Sequence, residues 1–257
     1  MNNKKTEWFE SEDFWNNYAP IMFDEAKWAE APAVAQKVME IAGLKEGDSV
    51  LDAGCGVGRI SVELAALNLD VTGVDLIQSE LETAKESARD EGVKINFIKD
   101  DLRTFRPENH GIKEKFDCVV DLYTSFGYCD TEEEDTMILQ SIFDSLKNGG
   151  TFILENLSRE VAIRYFVKGE EFERAGKIVT TDFGVVGAWE GLRSHWTLKD
   201  KITGKITDHE FVQRLYSATE LKKTLLSLGY KSVEIYGDFE RSAYDENMAT
   251  MVLVCRK

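Results

Sequence analysis

Residues 50–60 read VLDAGCGVGRI, and this stretch decides the fold class that we expect. Apolar residues lead into it, glycines stand at positions 54, 56 and 58, and the helix-like run ISVELAAL follows. Glycine lets a ligand approach the backbone closely, and a helix N-terminus offers free N–H groups and a positive dipole. The stretch therefore predicts a strand, a tight turn and a helix that together form a nucleotide-type site.

Short apolar runs and helical periodicity alternate from residue 49 onward. The pattern predicts strands at 49–54, 70–75, 95–100, 116–123 and 151–156, with helices at 58–67, 78–91 and 132–147. The sequence NGG at 148–150 is expected to end the last of these helices. Such alternation predicts an α/β protein with a parallel sheet covered by helices.

The two flanks of this pattern have a different character. The first 45 residues are rich in aromatic residues and helical in pattern, so we expect a helical cap over residues 1–45. Residues 160–216 predict antiparallel strands inserted over the active site, and residues 217–257 predict a closing helix and two last strands. The expected organisation is one domain over 1–257, with a ligand-binding core at 46–157.

Composition narrows the class of protein. The 257 residues carry a net charge of −16, which repels a phosphate backbone, so no nucleic-acid partner is expected. No long apolar run and no secretory signal are present, which predicts a cytoplasmic protein without a membrane partner. The four cysteines lack metal-ligand spacing, so no metal site is expected.

The glycine spacing argues against two common nucleotide-binding motifs. A dinucleotide fingerprint needs a third glycine where this chain has Arg59, which disfavours an NAD-dependent oxidoreductase. A P-loop needs a Lys-Ser or Lys-Thr pair, and none follows these glycines. The pattern present is D-x-G-x-G-x-G, which begins at Asp52.

Acidic residues stand at the ends of the next three strands. Asp75 ends the second strand, Asp100 and Asp101 follow the third, and Asp121 lies at the end of the fourth. Because ligands bind outside the carboxyl ends of strands in open α/β sheets, these residues are expected to share one site. A carboxylate at Asp75 can accept both hydroxyl groups of a ribose.

Taken in order, these motifs resemble those of the class I S-adenosylmethionine-dependent methyltransferases, in a small-molecule branch. The resemblance rests on VLDAGCGVGRISVELA, VTGVDLIQSELETAK, INFIKDDLRTF, FDCVVDLYTSFGY and SLKNGGTFILEN, and it extends over residues 12 to 257. It implies S-adenosyl-L-methionine as the cofactor. It also implies a Rossmann-like, seven-stranded sheet flanked by helices, with the last strand antiparallel.

The resemblance further implies roles for single residues. Asp75 would bind the ribose. Asp101 would bind the adenine amino group, with Asp100 as an alternative. Tyr18 would bind the cofactor carboxylate, and Arg59 and Trp28 are further candidates for that contact. The predicted cofactor-binding residues are Tyr18, Asp52, Gly54, Gly56, Asp75, Leu76, Asp101, Leu102, Asp121 and Leu122.

The methyl acceptor is predicted from charge and residue type. A negatively charged protein attracts a cation or zwitterion, and aromatic faces with carboxylates suit an ammonium group. The expected pocket wall contains Trp15, Asp121, Tyr123, Phe126, Tyr128 and Glu155. A small molecule or peptide with an amine nitrogen is favoured. A peptide or protein acceptor, O-methylation and a catalytically inactive cofactor-binding protein remain alternatives, and the oligomeric state stays open.

A hydroxyl acceptor would need a general base. His195 lies in the insertion that should cover the site, whereas His110 and His209 are expected at the surface. The candidates for a catalytic role are therefore His195, Asp121 and Tyr123.

Overall fold

The chain begins with two helices that precede the first strand. This computed structural model describes residues 8–257, so the first seven residues of the predicted cap lie outside the described residues. The opening elements are α1 (Glu12–Met22), α2 (Glu25–Ala42) and β1 (Ser49–Ala53). Ser11 and Asp24 cap the two helices, because each side chain accepts a hydrogen bond from a backbone N–H of the first turn.

The following elements alternate between helix and strand. They are α3 (Arg59–Ala66), β2 (Asp70–Asp75), α4 (Gln78–Asp90), β3 (Asn96–Lys99), β4 (Phe116–Asp121), α5 (Glu132–Ser145), β5 (Leu146–Asn156), α6 (Arg159–Arg164), β6 (Glu171–Arg174), β7 (Lys177–Val186), β8 (Gly191–Asp200), β9 (Ile206–Arg214), α7 (Ala218–Leu228), β10 (Ser232–Tyr236) and β11 (Met251–Arg256).

The large sheet has seven strands in the order β10-β11-β5-β4-β1-β2-β3. Strands β1 to β5 run parallel, and β11 pairs antiparallel with both β5 and β10. The predicted α/β class is confirmed, including the antiparallel last strand. This strand order places β1 in the middle of the five parallel strands, between β4 and β2, so the glycine turn after β1 lies in the middle of their carboxyl edge.

Neighbouring residues of β1 pack on opposite faces of the sheet. Val50 joins an apolar cluster with Ala35 of α2, and Leu51 joins a different cluster with Leu139 of α5 and Leu221 of α7. A sheet buried on both faces leaves only its strand ends for a ligand. The site therefore forms at the carboxyl ends of the strands.

The small sheet is antiparallel, in the order β6-β7-β8-β9, and it forms within the predicted insertion. Its inward side chains Trp196 and Phe211 pack against Phe14 and Ile21 of α1 in a third apolar cluster. Helix α1 is thereby held between the small sheet and the carboxyl edge of the large sheet.

Three details of the predicted elements differ from the structure. The helix expected to end at NGG instead ends at Ser145, and β5 already begins at Leu146, which pairs with Phe116 of β4. The prediction that 148–150 end the helix was therefore wrong, because these residues lie within β5. Helix α6 and strand β6 were not predicted. The division of the chain into cap, core, insertion and closing segment stays a prediction.

Candidate functional site

A cavity of about 550 Å³ lies at the carboxyl edge of the large sheet, below α1. Residues that follow β1, β2, β3 and β4 form its floor, and Trp15, Tyr18 and Met22 of α1 form part of its roof. Every predicted cofactor-binding residue except Asp121 lines this cavity. The structure thus brings together strand ends that are far apart in the chain, from Ala53 of β1 to Asp121 of β4.

The three glycines of the turn have different surroundings. All have positive φ angles, of 75° at Gly54, 50° at Gly56 and 77° at Gly58. A Cβ atom on Gly58 would stand 2.7 Å from the Cβ of Ala84, so this glycine is needed for packing against α4. Gly54 and Gly56 line the cavity instead. Their bare backbone is the part of the turn that a ligand can approach.

Asp75 ends β2 with its carboxylate beside the glycine turn. Its Oδ2 accepts the Gly56 N–H at 2.8 Å, and its Oδ1 accepts the Ile77 N–H at 2.9 Å. Burial raises the pKa of this carboxyl, while the backbone hydrogen bonds oppose the shift. Each oxygen keeps acceptor capacity, because a carboxylate offers about four lone-pair sites. The residue can therefore accept the two hydroxyl groups of a ribose.

Asp52 lies within β1, at the base of the cavity. It is 4% exposed, and its Oδ2 accepts a hydrogen bond from the Ser61 hydroxyl at 2.5 Å. Burial raises the pKa of Asp52 to about 6. Its main observed contact fixes α3 against β1, and the residue also contributes a polar surface to the cavity.

Asp101 lines the cavity and forms an ion pair with Arg103, a residue that no sequence motif marks. The Arg103 Nε lies 3.0 and 2.9 Å from the two carboxylate oxygens, and Nη2 lies 2.6 Å from Oδ2. Arg103 also binds Glu134 at 3.2 Å. The alternative residue, Asp100, pairs with the Nε2 of His110 at 2.6 Å. An adenine amino group at Asp101 would share the carboxylate with a guanidinium.

Asp121 does not reach the cavity, unlike its neighbours. It is 1% exposed, its Oδ1 accepts a hydrogen bond from the Ser125 hydroxyl, and burial raises its pKa to about 7. Among residues 8–257, Ser125 forms the cavity wall at this point and Asp121 lies outside it. The expected contact of Asp121 with the cofactor or the acceptor therefore has no support from the cavity geometry.

The backbone after β4 adopts a conformation that is uncommon for these residue types. Tyr123 and Thr124 have φ angles of 59° and 62°, although neither is glycine. The Tyr123 N–H is held at 2.7 Å by Oε2 of Glu155, whose other oxygen accepts a bond from Thr250. Such conformations cost about 1–3 kcal/mol each and concentrate at functional sites. Here they turn the Tyr123 side chain into the cavity wall.

Arg59 supplies a positive charge to a cavity rich in carboxylates. Its guanidinium lies 3.9 Å from the centre of the Tyr123 ring and donates to the backbone oxygen of Lys27. The side chain is 4% exposed, and its Nε has no hydrogen-bond partner among residues 8–257. Lys27 also lines the cavity, whereas Trp28 is not part of the wall. Lys27 was not predicted, because no motif marks it.

Aromatic residues from the cap and the small sheet close the cavity. Tyr18 stacks on Phe14, with ring centres 4.7 Å apart, and burial raises its pKa. The cavity wall here also contains Trp15, Tyr128 and Phe211. Phe126, which was expected in the wall, is 1% exposed and belongs to the apolar core.

The histidines do not line this cavity in the described part of the chain. His195 lies on the face of β8 opposite to Trp196, with its Nε2 3.4 Å from Asp208. A base role for His195 therefore has no support from the geometry. His209, expected at the surface, instead packs edge-on against Phe14, and burial lowers its pKa.

Residues 8–257 contain neither a metal-binding cluster nor a membrane-spanning helix. No group of three or more metal-binding side chains is assembled there. None of the helices in that range has the length and apolar character needed to cross a membrane.

Residues 50–150 match the family described as "Methyltransferase domain". The chain is 25% identical to a putative methyltransferase of Geobacillus sp. (strain WCH70). The alignment covers 97% of this chain and 99% of that protein. It is also 30% identical to a ubiquinone biosynthesis O-methyltransferase of Shewanella halifaxensis, over 48% of this chain and 49% of that protein.

Two solved structures are similar in fold. An S-adenosylmethionine-dependent methyltransferase of Clostridium acetobutylicum gives a TM-score of 0.76 at 17% identity, over 95% of this chain and 97% of that one. A sugar N-methyltransferase of Streptoalloteichus sp. gives 0.66 at 20% identity, over 100% and 97%.

Proposed function

Because this chain is a class I S-adenosylmethionine-dependent methyltransferase, we propose that it methylates the amine nitrogen of a small molecule held under the cap. The observation that carries this proposal is the composition of the cavity wall beside β4 and β5. The wall there contains the aromatic residues Tyr123 and Tyr128 and the carboxylate of Glu155, and no histidine among residues 8–257 lines the cavity. Aromatic rings and a carboxylate suit an ammonium group, which gains about 0.5–2 kcal/mol over a ring face.

S-adenosyl-L-methionine is the cofactor, and the residues at the strand ends fit it. Asp75 has free acceptor capacity for the ribose, and the bare backbone of Gly54 and Gly56 gives room for a closely bound ligand. Asp101 would accept the adenine amino group beside Leu102. Arg59 is suited to the carboxylate of the methionine moiety.

The remaining predicted contacts belong to the same proposal. Leu76 and Leu122 offer apolar surface at the ends of β2 and β4, and Asp52 offers a polar surface at the base. Tyr18 would contact the methionine moiety from the cap.

The cofactor supplies a methyl group that is already activated on a positively charged sulfur. The chain's own residues then have to hold the acceptor nitrogen in line and exclude water. The amine can bind as an ammonium group beside the aromatic rings of the cavity wall, but its nitrogen attacks only after it has lost a proton. Glu155 is suited to accept the proton that the amine loses, since burial raises the pKa of its carboxyl.

Oxygen and peptide acceptors are the competing proposals. One similar structure acts on sugar nitrogen and one relative is an O-methyltransferase, so the comparisons are compatible with either atom. A hydroxyl acceptor would need a base that is worth about 10²–10⁴-fold in rate. Tyr123 is the candidate for that role, because the residue lines the cavity and the guanidinium of Arg59 lies over its ring.

A screen with methyl-labelled cofactor tests the proposal. The panel contains amines, amino sugars, phenols, carboxylates, nucleotides and short peptides, and we expect label in small amines. The rate should rise with pH toward the pKa of the amine, since only the neutral nitrogen attacks. Label confined to phenols or carboxylates would contradict the nitrogen acceptor, and label confined to peptides would contradict a small-molecule acceptor.

A further inference from the structure

Glu80 is a buried carboxyl in the cavity to which no motif assigns a role. It lies in the first turn of α4, after Asp75, and its residue is 5% exposed. Its side chain forms part of the cavity wall beside the glycine turn. A carboxyl group in such a place is costly unless it is neutral or hydrogen-bonded.

No donor from residues 8–257 hydrogen-bonds to the Glu80 side chain. Three N–H groups at the start of α4 are taken by two other carboxylates. Asp75 accepts the Ile77 N–H at 2.9 Å, and Glu12 of the cap accepts those of Gln78 and Ser79 at 3.1 and 3.3 Å. Glu80 is therefore left with its hydrogen-bonding capacity unused.

The carboxyl of Glu80 faces the glycine turn. Its Oε2 lies 3.1 Å from the position that a Cβ atom on Gly56 would occupy. Gly56 in turn donates its N–H to Asp75. The carboxyls of Asp75 and Glu80 therefore flank the same bare stretch of backbone, on the side where both line the cavity.

The charged groups that face Glu80 keep it protonated. Burial, together with the negative charges of Asp75 on β2 and Glu12 on α1, raises the pKa of Glu80 to about 8. The Cys55 thiol of the glycine turn is neutral as well, because burial raises its pKa well above the ordinary value. At neutral pH, Glu80 therefore has an O–H to donate, whereas an ionised carboxylate only accepts.

We propose that Glu80 and Asp75 together bind a ribose hydroxyl group of the cofactor's nucleoside. Glu80 donates a hydrogen bond to the oxygen of this hydroxyl, and Asp75 accepts a hydrogen bond from its O–H. The inference rests on the proposed placement of the ribose at Asp75. A hydroxyl group can donate one hydrogen bond and accept others, so a carboxylate and a carboxylic acid satisfy it together. Glu80 then selects for a ligand with ribose hydroxyls.

Calorimetry with S-adenosylhomocysteine, without any acceptor, tests this inference. The variants are Glu80→Gln, which keeps a hydrogen-bond donor, and Glu80→Met, which keeps the side-chain length but has no donor. At pH 7 we expect near-normal affinity for Glu80→Gln and a loss of about three- to tenfold for Glu80→Met, the value of one hydrogen bond. With an analogue that lacks both ribose hydroxyls, wild type and Glu80→Met should bind equally. Glu82→Gln, on the exposed side of α4, is the matched control.

The pH dependence separates hydrogen bonding from packing. Wild-type affinity should fall as pH rises above about 8 because Glu80 ionises, and Glu80→Gln should lack this component. Titration of the ligand's own amino group is the same in both proteins and cancels in the comparison. Unchanged affinity in Glu80→Met, or an identical pH profile in Glu80→Gln and wild type, would overturn the inference. Failure of the amine proposal leaves this test unaffected, since no acceptor is present.

Discussion

The guanidinium of Arg59 stacks on the ring of Tyr123 at 3.9 Å, within a cavity whose other charged groups are mostly carboxylates. The nearest carboxylate contact of Arg59 is 4.0 Å away, at the partly exposed Glu30. A buried cation without a close carboxylate is ready to receive an anionic group of a ligand.

Arg59→Met is therefore expected to weaken binding of S-adenosylhomocysteine by about 1.5–3 kcal/mol, the value of a charged hydrogen bond. Binding of 5′-methylthioadenosine, which has no carboxylate, should be unchanged. Calorimetry with both ligands measures the difference. Equal losses for the two ligands would indicate that Arg59 only supports the fold of the cavity.

Asp75→Ala is expected to weaken cofactor binding by about 1.5–3 kcal/mol through loss of the ribose contacts. It should also lower the melting temperature of the free protein, because the N–H groups of Gly56 and Ile77 lose their acceptor. Asp75→Asn keeps an amide oxygen and should be less destabilised. A normal dissociation constant in Asp75→Ala would contradict the assignment of the ribose to this residue.

Residues 8–30 are predicted to close over a bound ligand. Hydrogen exchange in this segment should slow when S-adenosylhomocysteine is added, because aromatic side chains of the segment form the roof of the cavity. Exchange followed by mass spectrometry, with and without ligand, measures this. Identical rates in the two states would contradict a mobile cap.

Glu12→Ala tests how the cap is held. Glu12 accepts bonds from the N-terminus of α4, so the variant should exchange faster in α1 and bind cofactor more weakly. Glu25→Ala, at an exposed position of α2, is the control. Unchanged exchange in Glu12→Ala would show that apolar packing alone fixes α1.

Asp121→Asn should change the pH dependence of stability. Burial raises the pKa of Asp121 from 3.8 to about 7, so the folded state holds this proton more tightly than the unfolded state. The resulting stability is fully present below pH 3.8 and is lost as pH rises through 7. Urea unfolding at pH 5 and pH 8 should therefore show Asp121→Asn gaining free energy of unfolding, relative to wild type, at the higher pH. An equal difference at both values would refute the shift.

His195→Ala should leave both cofactor affinity and turnover unchanged. The residue lies outside the cavity and faces Asp208, so it cannot reach an acceptor from this position. Tyr123→Phe is the comparison, because Tyr123 lines the cavity. Loss of turnover in His195→Ala with intact cofactor binding would restore His195 as the base.

Local sequence was sufficient to predict the centre of the fold. Glycine spacing after a buried strand predicted the turn at 54–58, and the alternation of apolar runs predicted the five parallel strands. Asp75 was predicted at the site because the end of a parallel strand must lie at the ligand edge. These features depend on residues close together in the chain, and their periods are fixed by helix and strand geometry.

The tertiary structure decided which side chains reach the cavity. Which face of a strand or turn meets the cavity could not be read from the sequence. This orientation decides that Asp101 pairs with Arg103, that Asp121 is buried behind Ser125 and that His195 points outward. The unsatisfied carboxyl of Glu80 depends on Glu12, which is 68 positions earlier and takes the N–H groups at the start of α4. The contact of Glu12 with α4 joins residues that are distant in the chain, so no local period encodes it, and only the packing of α1 against α4 fixes it.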